Sequence, residues 1–259
     1  MQRVRRNTST LGDLLRDYEQ EPYRFISCGG GVQSVVLIHK AIEGELKVDA
    51  IIMADPGIER PETIELIESK VKPLLKDKGI PFHMVTSHLG TIQDYYISKH
   101  ALPLIGTRHC TSKFKIRPIR RFVRSIVGNR RGKKLAECLL GITTDEGHRE
   151  GESDVQWMVN EYPFIEWGMS RQDCIEYLNR IGWDVVKSGC VMCPYQSGQS
   201  WIEVRDQYPD LFQIALDMEK AYFDNRPNRW KGLRYDGKRL TEPLEDFAAS
   251  KCSSGGCFI

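Results

Sequence analysis

The 259-residue chain has no apolar run approaching the roughly 20 residues that span a membrane. Its opening segment, MQRVRRNTSTLGDLLRDYEQ, is basic and carries no apolar stretch of signal-peptide length. Net charge is nearly absent: 37 Lys and Arg oppose 35 Asp and Glu, leaving a formal +2. No global attraction to nucleic acid or to a lipid surface follows from so small a charge. Internal repeats and low-complexity tracts are missing as well. Apolar residues make up 41% and charged residues 28%, which excludes disorder over the whole length. These absences lead to the expectation of a cytoplasmic protein with no membrane partner. What is present in excess is cysteine, at eight residues. Structural disulfides are rare in a reducing compartment. Buried thiols, a metal or cluster site and redox catalysis remain, and spacing has to choose among them.

The apolar pattern predicts an α/β protein. Tyr23 to Ser27 reads as a strand that runs into Gly29-Gly30-Gly31, and Val35, Val36, Leu37, Ile38 and Ala41 follow at helical density. Val48 to Met53 reads as a second strand, ending in the Pro56-Gly57 turn. Pro61 suits a first helical position, with Ile64, Ile67 and Val71 on one face. Pro81 to Val85 and Leu135 to Leu140 read as further strands, and Ser170 as the cap of a helix near residues 171–181. Alternating strands and helices predict a parallel sheet with helices on both faces, binding ligands beyond the carboxyl ends of its strands. The expected organisation is an N-terminal arm over residues 1–22, an α/β nucleotide domain over 23–182 and a cysteine-bearing extension over 183–259. Residues 183–200 read as loop, another helix opens at Pro209, and a basic tail is expected after about residue 225.

Ser27-Cys28-Gly29-Gly30-Gly31-Val32-Gln33-Ser34 joins a strand to a helix. Consecutive glycines let backbone N–H groups approach an anion, and a helix start adds the positive end of its dipole. The loop has neither G-K-[ST] nor G-x-G-x-x-G. It resembles the PP-loop of the ATP pyrophosphatase superfamily, S-G-G-x-D-S, with Gly29 at the first Ser and Gln33 at the Asp. Asp55-Pro56-Gly57-Ile58-Glu59-Arg60-Pro61-Glu62-Thr63 is similar to the D-T-G-x-x-x-P-E-T segment of the PAPS reductase branch, with Pro56 in place of Thr. Cys110 to Ile119 resembles that branch's C-x-x-x-K-x-x-P-L block, and Gly141 to Arg149 its G-I-R-x-x-E-x-x-R block. The four segments occur in family order.

The resemblance implies a Rossmann-like domain that binds ATP, or a sulfonucleotide such as APS or PAPS, together with Mg2+. Ser27, Gly29, Gly30, Gly31, Gln33, Ser34 and Gly141 would cradle the nucleotide. Asp55 and Glu59 would hold a ribose hydroxyl or a metal ion. Lys113, Lys115, Arg117 and Arg149 would clamp phosphate or sulfate oxygens. Ten Lys or Arg and no Asp or Glu fall between Lys113 and Lys134. In that stretch Ile119, Phe122, Val123 and Ile126 form one apolar helical stripe, so Arg120, Arg121 and Arg124 are expected to point elsewhere, toward a phosphate-rich partner or water.

Cys190-x-x-Cys193-Pro194 lacks the helix-start setting of a thioredoxin-type redox pair. A zinc site needs two more ligands, which Cys252 and Cys257 would supply, and an iron–sulfur cluster also takes thiolates. By resemblance, APS reductases place a Cys-Cys pair before the K-x-x-P-L block and a C-x-x-C some eighty residues on, together holding a 4Fe–4S cluster. Here the pair position reads His109-Cys110, so Cys110, Cys190 and Cys193 match. His109, a tail cysteine such as Cys252, or an open iron site remains for the fourth position, and superfamily thiolation enzymes use an open iron for sulfide. Cys138 and Cys174 read as packing thiols.

Sulfonucleotide reductases attack with a tail cysteine inside an E-C-G-x-H motif, which is missing here; Cys257 is the candidate nucleophile. Asn225 to Tyr235 interleaves basic and aromatic residues, a pattern that suits unpaired nucleic acid or a tail packed on the domain. The expected function is ATP-dependent adenylation of an acceptor followed by cluster-dependent sulfur transfer, with Asp55, Lys113, Arg149 and Cys257 as catalytic candidates. The acceptor would be tRNA or DNA, and a cysteine desulfurase or thioredoxin-type protein the donor. The alternatives are an APS/PAPS reductase and a zinc-holding, non-catalytic nucleotide- or nucleic-acid-binding module.

Overall fold

The computed structural model describes residues 21–129, 133–185 and 188–249. Its centre is a five-stranded, all-parallel sheet in the order β3-β2-β1-β4-β5. The strands are β1 (Tyr23–Cys28), β2 (Ala50–Asp55), β3 (Phe82–Thr86), β4 (Ala136–Leu139) and β5 (Met158–Glu161). Along β2, Ile51 and Met53 pack into one core while Ala50, Ile52 and Ala54 pack into another. A strand covered on both faces carries a continuous apolar run rather than an alternating one, which is why AIIMA forms a central strand.

Helix α1 (Val32–Ile42) covers the first face. So do α2, which runs through residues 61–77 with a π-turn at Ile67–Val71, and α6 (Arg171–Arg180). Ser170 and Asp173 close α6 with a reciprocal capping box, worth about 1 kcal/mol. Helix α3 (Ile92–Ser98) precedes α4, which spans residues 109–127 with a π-turn at Ser112–Ile116. Helix α4 covers the second face through Ile119 and Val123. The predicted four-residue stripe is shorter than expected. Phe122 is only partly buried, against His83, and Ile126 is 47% exposed.

Residues after the sheet build a second, helical core. The short helix α5 (Pro163–Glu166) follows β5, and beyond α6 come α7 (Gly198–Gln207), α8 (Pro209–Asn225) and α9 (Leu244–Ala249). Trp201, Phe212, Met218, Leu233 and Phe247 are buried there together with Ile58, Ile92 and Phe114, which come from the segment assigned to the nucleotide domain. Cys190, Val191 and Met192 belong to the same core.

The expected tail after residue 225 is corrected by this arrangement. Residues 226–243 fold back as a hairpin-like connection held by two buried charged side chains. Glu219 is 3% exposed and accepts the N–H groups of Leu233 (2.6 Å) and Leu240 (2.8 Å). Arg234, 1% exposed, pairs with Asp236 at 2.6 Å and donates to the carbonyls of Glu242 and Pro243. Gly232 is required beside them, because a Cβ there would lie 2.7 Å from Glu219 Oε1 and inside the Lys238 backbone. The loop expected over residues 183–200 also ends early, since Ser197 caps α7 by accepting from the Ser200 N–H. No helix among the described residues is long and apolar enough to cross a membrane.

Glu219→Ala leaves two buried N–H donors without an acceptor, at about 1–3 kcal/mol each. Urea unfolding should show a loss of roughly 2–5 kcal/mol, whereas Arg229→Ala, on the exposed surface, should stay within about 0.5 kcal/mol of the parent.

Candidate nucleotide cleft and cysteine cavity

The sheet order reverses direction between β1 and β4. Their carboxyl ends diverge into loops that leave opposite faces, which is where open α/β sheets bind ligands. A cleft of about 340 Å³ opens at that point. Ser27, Gly29, Gly31, Gln33 and Ser34 form one wall, and Leu140, Gly141 and Ile142 form another. Lys115, Arg120 and Arg149 also line it, and among the described residues no Asp or Glu does.

The glycine loop is shaped by contacts on both sides. Gly30 has φ +75°, and a Cβ there would overlap the Thr63 methyl group. Its N–H goes to Cys28 Sγ at 3.3 Å and so is not turned to the cleft, contrary to the expectation for Gly30. Burial pushes the Cys28 thiol up to about 11. Gly31 is the cap residue of α1 and offers no side chain to the first turn. The first intrahelical bond is Val35 N–H to Gly31 O at 3.0 Å, so the Val32, Gln33 and Ser34 N–H groups have no intrahelical acceptor. These are the groups that suit an anion. Ser34 itself donates its hydroxyl to Gly31 O at 3.0 Å. Gly141 allows the β4 end to lie against this turn: a Cβ there would be 3.1 Å from both Ser34 N and Gln33 Cβ.

A polar chain stiffens the cleft. Gln33 Nε2 donates to Glu146 Oε2 at 3.1 Å, and Arg149 Nη1 donates to Glu146 Oε1 at 2.9 Å. Gln33, at the Asp position of the PP-loop pattern, is therefore matched to a neighbouring carboxylate, which an acid there would repel. Sequence reading missed Glu146 as a site residue, although it lies in the Gly141–Arg149 block. Arg120, expected to point off the apolar stripe toward a phosphate-rich partner or water, lines the cleft, bonds Asp154 and leaves its buried Nε without a partner.

Three expected site residues stand elsewhere. Asp55 closes its own turn by accepting the Gly57 N–H at 2.7 Å and does not line the cleft. Lys113 points to α3, where its ammonium bonds the Tyr95 hydroxyl and lies over the Tyr95 ring. Glu59 is buried beside Cys190, its partner in an isolated antiparallel bridge. It pairs with Lys115 at 3.5 Å and has its Oε1 buried without a partner.

Lys115 links this cleft to a second cavity of about 40 Å³, which it also lines. Cys110, Cys190 and Cys193 all line that second cavity, with Pro56, Ile92, Phe114 and Met192. The C-x-x-C forms a tight turn, Cys193 N–H to Cys190 O at 3.1 Å, anchored by Val191 N–H to Ile58 O at 3.1 Å. Gln196 reaches back to Val191 O at 2.7 Å. Burial holds the Cys190 thiol well above its usual range, with Cys193 and Glu59 adding to the shift. Burial alone would lower Lys115, but Glu59 and the two cysteines raise it above the usual lysine range. Arg108, with the left-handed φ of 43°, sets the chain direction into His109 and Cys110. His109 is exposed.

The donor set of the small cavity, three thiols in apolar surroundings, fits a thiophilic centre such as an iron–sulfur cluster or zinc. As the side chains stand, no three His, Cys, Asp or Glu among the described residues converge on one point. Cys138, pushed up to about 12 by burial, forms part of the floor of the large cleft, and Cys174, also about 12, packs against α1. The expected roles of Cys252 and Cys257 lie outside the described residues.

The chain is similar to solved enzymes of two kinds. It superimposes on a phosphoadenylyl-sulfate (PAPS) reductase from Candida auris, in a phosphate complex, with TM-score 0.46, 13% identity and coverage of 67% of this chain and 80% of that one. A U34-tRNA thiolase, NcsA of Methanococcus maripaludis, with its 4Fe–4S cluster, matches with TM-score 0.42 and 16% identity, over 78% of this chain and 72% of that one. In sequence, 235 residues are 25% identical to an uncharacterized protein of Methanocaldococcus jannaschii. That alignment takes in 82% of this chain, which spans about half, 52%, of the length of that curated relative. No family model matches. The α/β fold is carried by the strand order and by the cleft at its reversal.

Gly141→Ala forces a methyl group onto the first turn of α1. Thermal unfolding should show the midpoint falling by a few degrees.

Proposed function

We propose that this chain is an ATP-dependent enzyme of sulfur transfer, acting on an acceptor in nucleic acid. The observation that carries this reading is Lys115, which lines both the glycine-loop cleft and the three-cysteine cavity. Two spaces that share Lys115 and Thr111 in their linings suit a reaction that activates an acceptor at one place and supplies sulfur at the other.

In this reading the free N–H groups of Val32, Gln33 and Ser34 hold phosphate oxygens of ATP, and Lys115, Arg120 and Arg149 neutralise them. Glu146 orients Arg149 and keeps the Gln33 amide turned away from the phosphates. The acceptor oxygen attacks the α-phosphorus, pyrophosphate leaves, and an adenylated acceptor remains. Cys110, Cys190 and Cys193 would hold an iron–sulfur cluster, which supplies a sulfur atom when bound. Lys115 stabilises the negative charge of thiolates in the small cavity and of phosphate in the cleft. Mg2+ would accompany the nucleotide phosphates. A cytoplasmic location, a sulfur-donor protein and a division into a nucleotide domain and a cysteine-bearing extension belong to the same proposal.

Anaerobically purified protein should contain iron and acid-labile sulfide and absorb near about 400 nm. Cys190→Ser should remove most of that iron. Incubation of the parent with ATP and bulk tRNA or DNA should release pyrophosphate, and Lys115→Met should lower the rate by about a hundredfold or more, in the range of losing one electrostatic contact to developing charge. Zinc in place of iron, or, with a dithiol reductant, sulfite formed together with AMP from APS or with adenosine 3′,5′-bisphosphate from PAPS and no pyrophosphate release from ATP, would overturn the reading, the latter in favour of a sulfonucleotide reductase.

A further inference from the structure

Trp230 is 71% exposed, while the other exposed large hydrophobic residues lie between 37% and 47%. It is displayed by a rigid support. The Gly232 N–H donates to Gly237 O at 2.7 Å and closes the turn, and the Trp230 ring lies over Gly237, where an added Cβ would be 3.6 Å away. Beneath it, buried Glu219, Leu233, Arg234 and Leu240 fix the connection to α8 and α9. The ammonium of Lys231 stands 5.1 Å from the Trp230 ring centre. Residues 226–240 carry six Lys or Arg and one Asp, and that Asp236 is already engaged by Arg234. Arg226, Arg229, Lys231 and Lys238 are exposed in the same connection.

We infer that this connection is a docking surface for an unpaired nucleic-acid strand, with Trp230 as a base-stacking platform and Arg229 and Lys231 as phosphate contacts. The inference deepens the proposed function and rests on its nucleic-acid acceptor. A protein-binding Trp usually sits in a desolvated pocket within an apolar patch, whereas this ring stands exposed under the Lys231 ammonium in a basic segment. An exposed ring among cations matches the alternation of base and phosphate in a single strand, and its face accepts any base. The surface also has a path to the chemistry. The Tyr235 ring packs at 6.4 Å from Tyr195, and Tyr195 follows Pro194 on the wall of the cysteine cavity. The Tyr195 hydroxyl accepts the Gly106 N–H at 2.8 Å, which fixes its ring there.

The test is fluorescence anisotropy of the full chain with labelled single-stranded RNA and DNA 12-mers of mixed sequence, over a series of salt concentrations. The same sequences as duplexes, and heparin, serve as comparison ligands. The parent should favour a single strand, and the better of the RNA and DNA arms identifies its kind. Trp230→Ala should weaken single-strand binding about tenfold or more, Trp230→Phe much less, and neither should change heparin binding. Arg229→Ala and Lys231→Ala should each reduce the slope of log affinity against log salt by about 0.7. Equal single-strand affinity for the parent and Trp230→Ala overturns the inference, whether the remaining binding is polyanion attraction alone or none. Binding of duplex as tight as single strand overturns it as well. ATP titration of the same proteins separates the two readings. ATP binding by the parent with no strand binding by the parent counts against this surface alone, and strand binding by the parent without ATP binding counts against the nucleotide reading.

Discussion

The reversal of winding between β1 and β4 is the constraint on which the rest of the molecule depends. From β1 the chain builds outward through β2 and β3, and then returns to the other side of β1 for β4 and β5. Two neighbouring strands therefore send their following loops to opposite faces, and the space between them stays open. The first turn of α1 ends up at the rim of that space with three N–H groups unclaimed by the helix. Gly141 keeps the far wall close, because any side chain there would press on Ser34 and Gln33. The cleft is thus a product of topology, and its cationic lining is a product of the residues that follow β3 and β4.

That lining comes from a helix with two tasks. Helix α4 buries Ile119 and Val123 against the sheet, and the same register presents Lys115 and Arg120 to the cleft. The π-turn at Ser112–Ile116 adds one residue to the turn that carries Lys115. Lys113, two positions earlier, lies over Tyr95 of α3. The difference between these two lysines was not visible in the sequence, where both sit in one basic run. It depends on the extra residue in the turn and on a tyrosine eighteen positions upstream.

Much of the α/β half was legible. AIIMA, the glycine loop, Pro61 and Ser170 each act within a few residues, so their consequences can be read from local pattern. In the helical half only the helix opening at Pro209 was legible. Its core joins Ile58, Ile92 and Phe114 to residues beyond 190, and no local periodicity announces such a pairing. Residues 226–243 looked like a tail because they are basic and turn-rich. Their order comes from one carboxylate on α8 and one arginine of their own, Glu219 and Arg234, and buried charges with tertiary partners leave no sequence pattern. At the site, the resemblance grouped Cys110, Cys190 and Cys193 as ligands, and the three line one cavity, since a C-x-x-C turn and a residue on α4 need only one long-range contact to meet. Asp55 closes a turn outside the cleft lining, a role the sequence does not separate from ligand binding because an Asx turn and a ligand-binding carboxylate use the same residue at a strand end.

The ion pair of Glu59 and Lys115 shows how the two cavities are held apart electrostatically. Glu59 is almost fully buried, and a carboxylate in that position is costly unless a cation accompanies it. Lys115 supplies the cation, and burial opposes its charge too, yet its affinity for the proton ends above the ordinary lysine value because Glu59, Cys190 and Cys193 surround it. One oxygen of Glu59 still lacks a partner. The pair therefore compensates the carboxylate incompletely, which keeps the wall between cleft and cavity polar although Ile58, Phe114 and Met192 pack beside it. A wall of apolar residues alone would insulate the cysteines from charge in the cleft. A wall carrying a single shared cation transmits that charge, because Lys115 faces both spaces and its position is fixed by one ion pair at 3.5 Å.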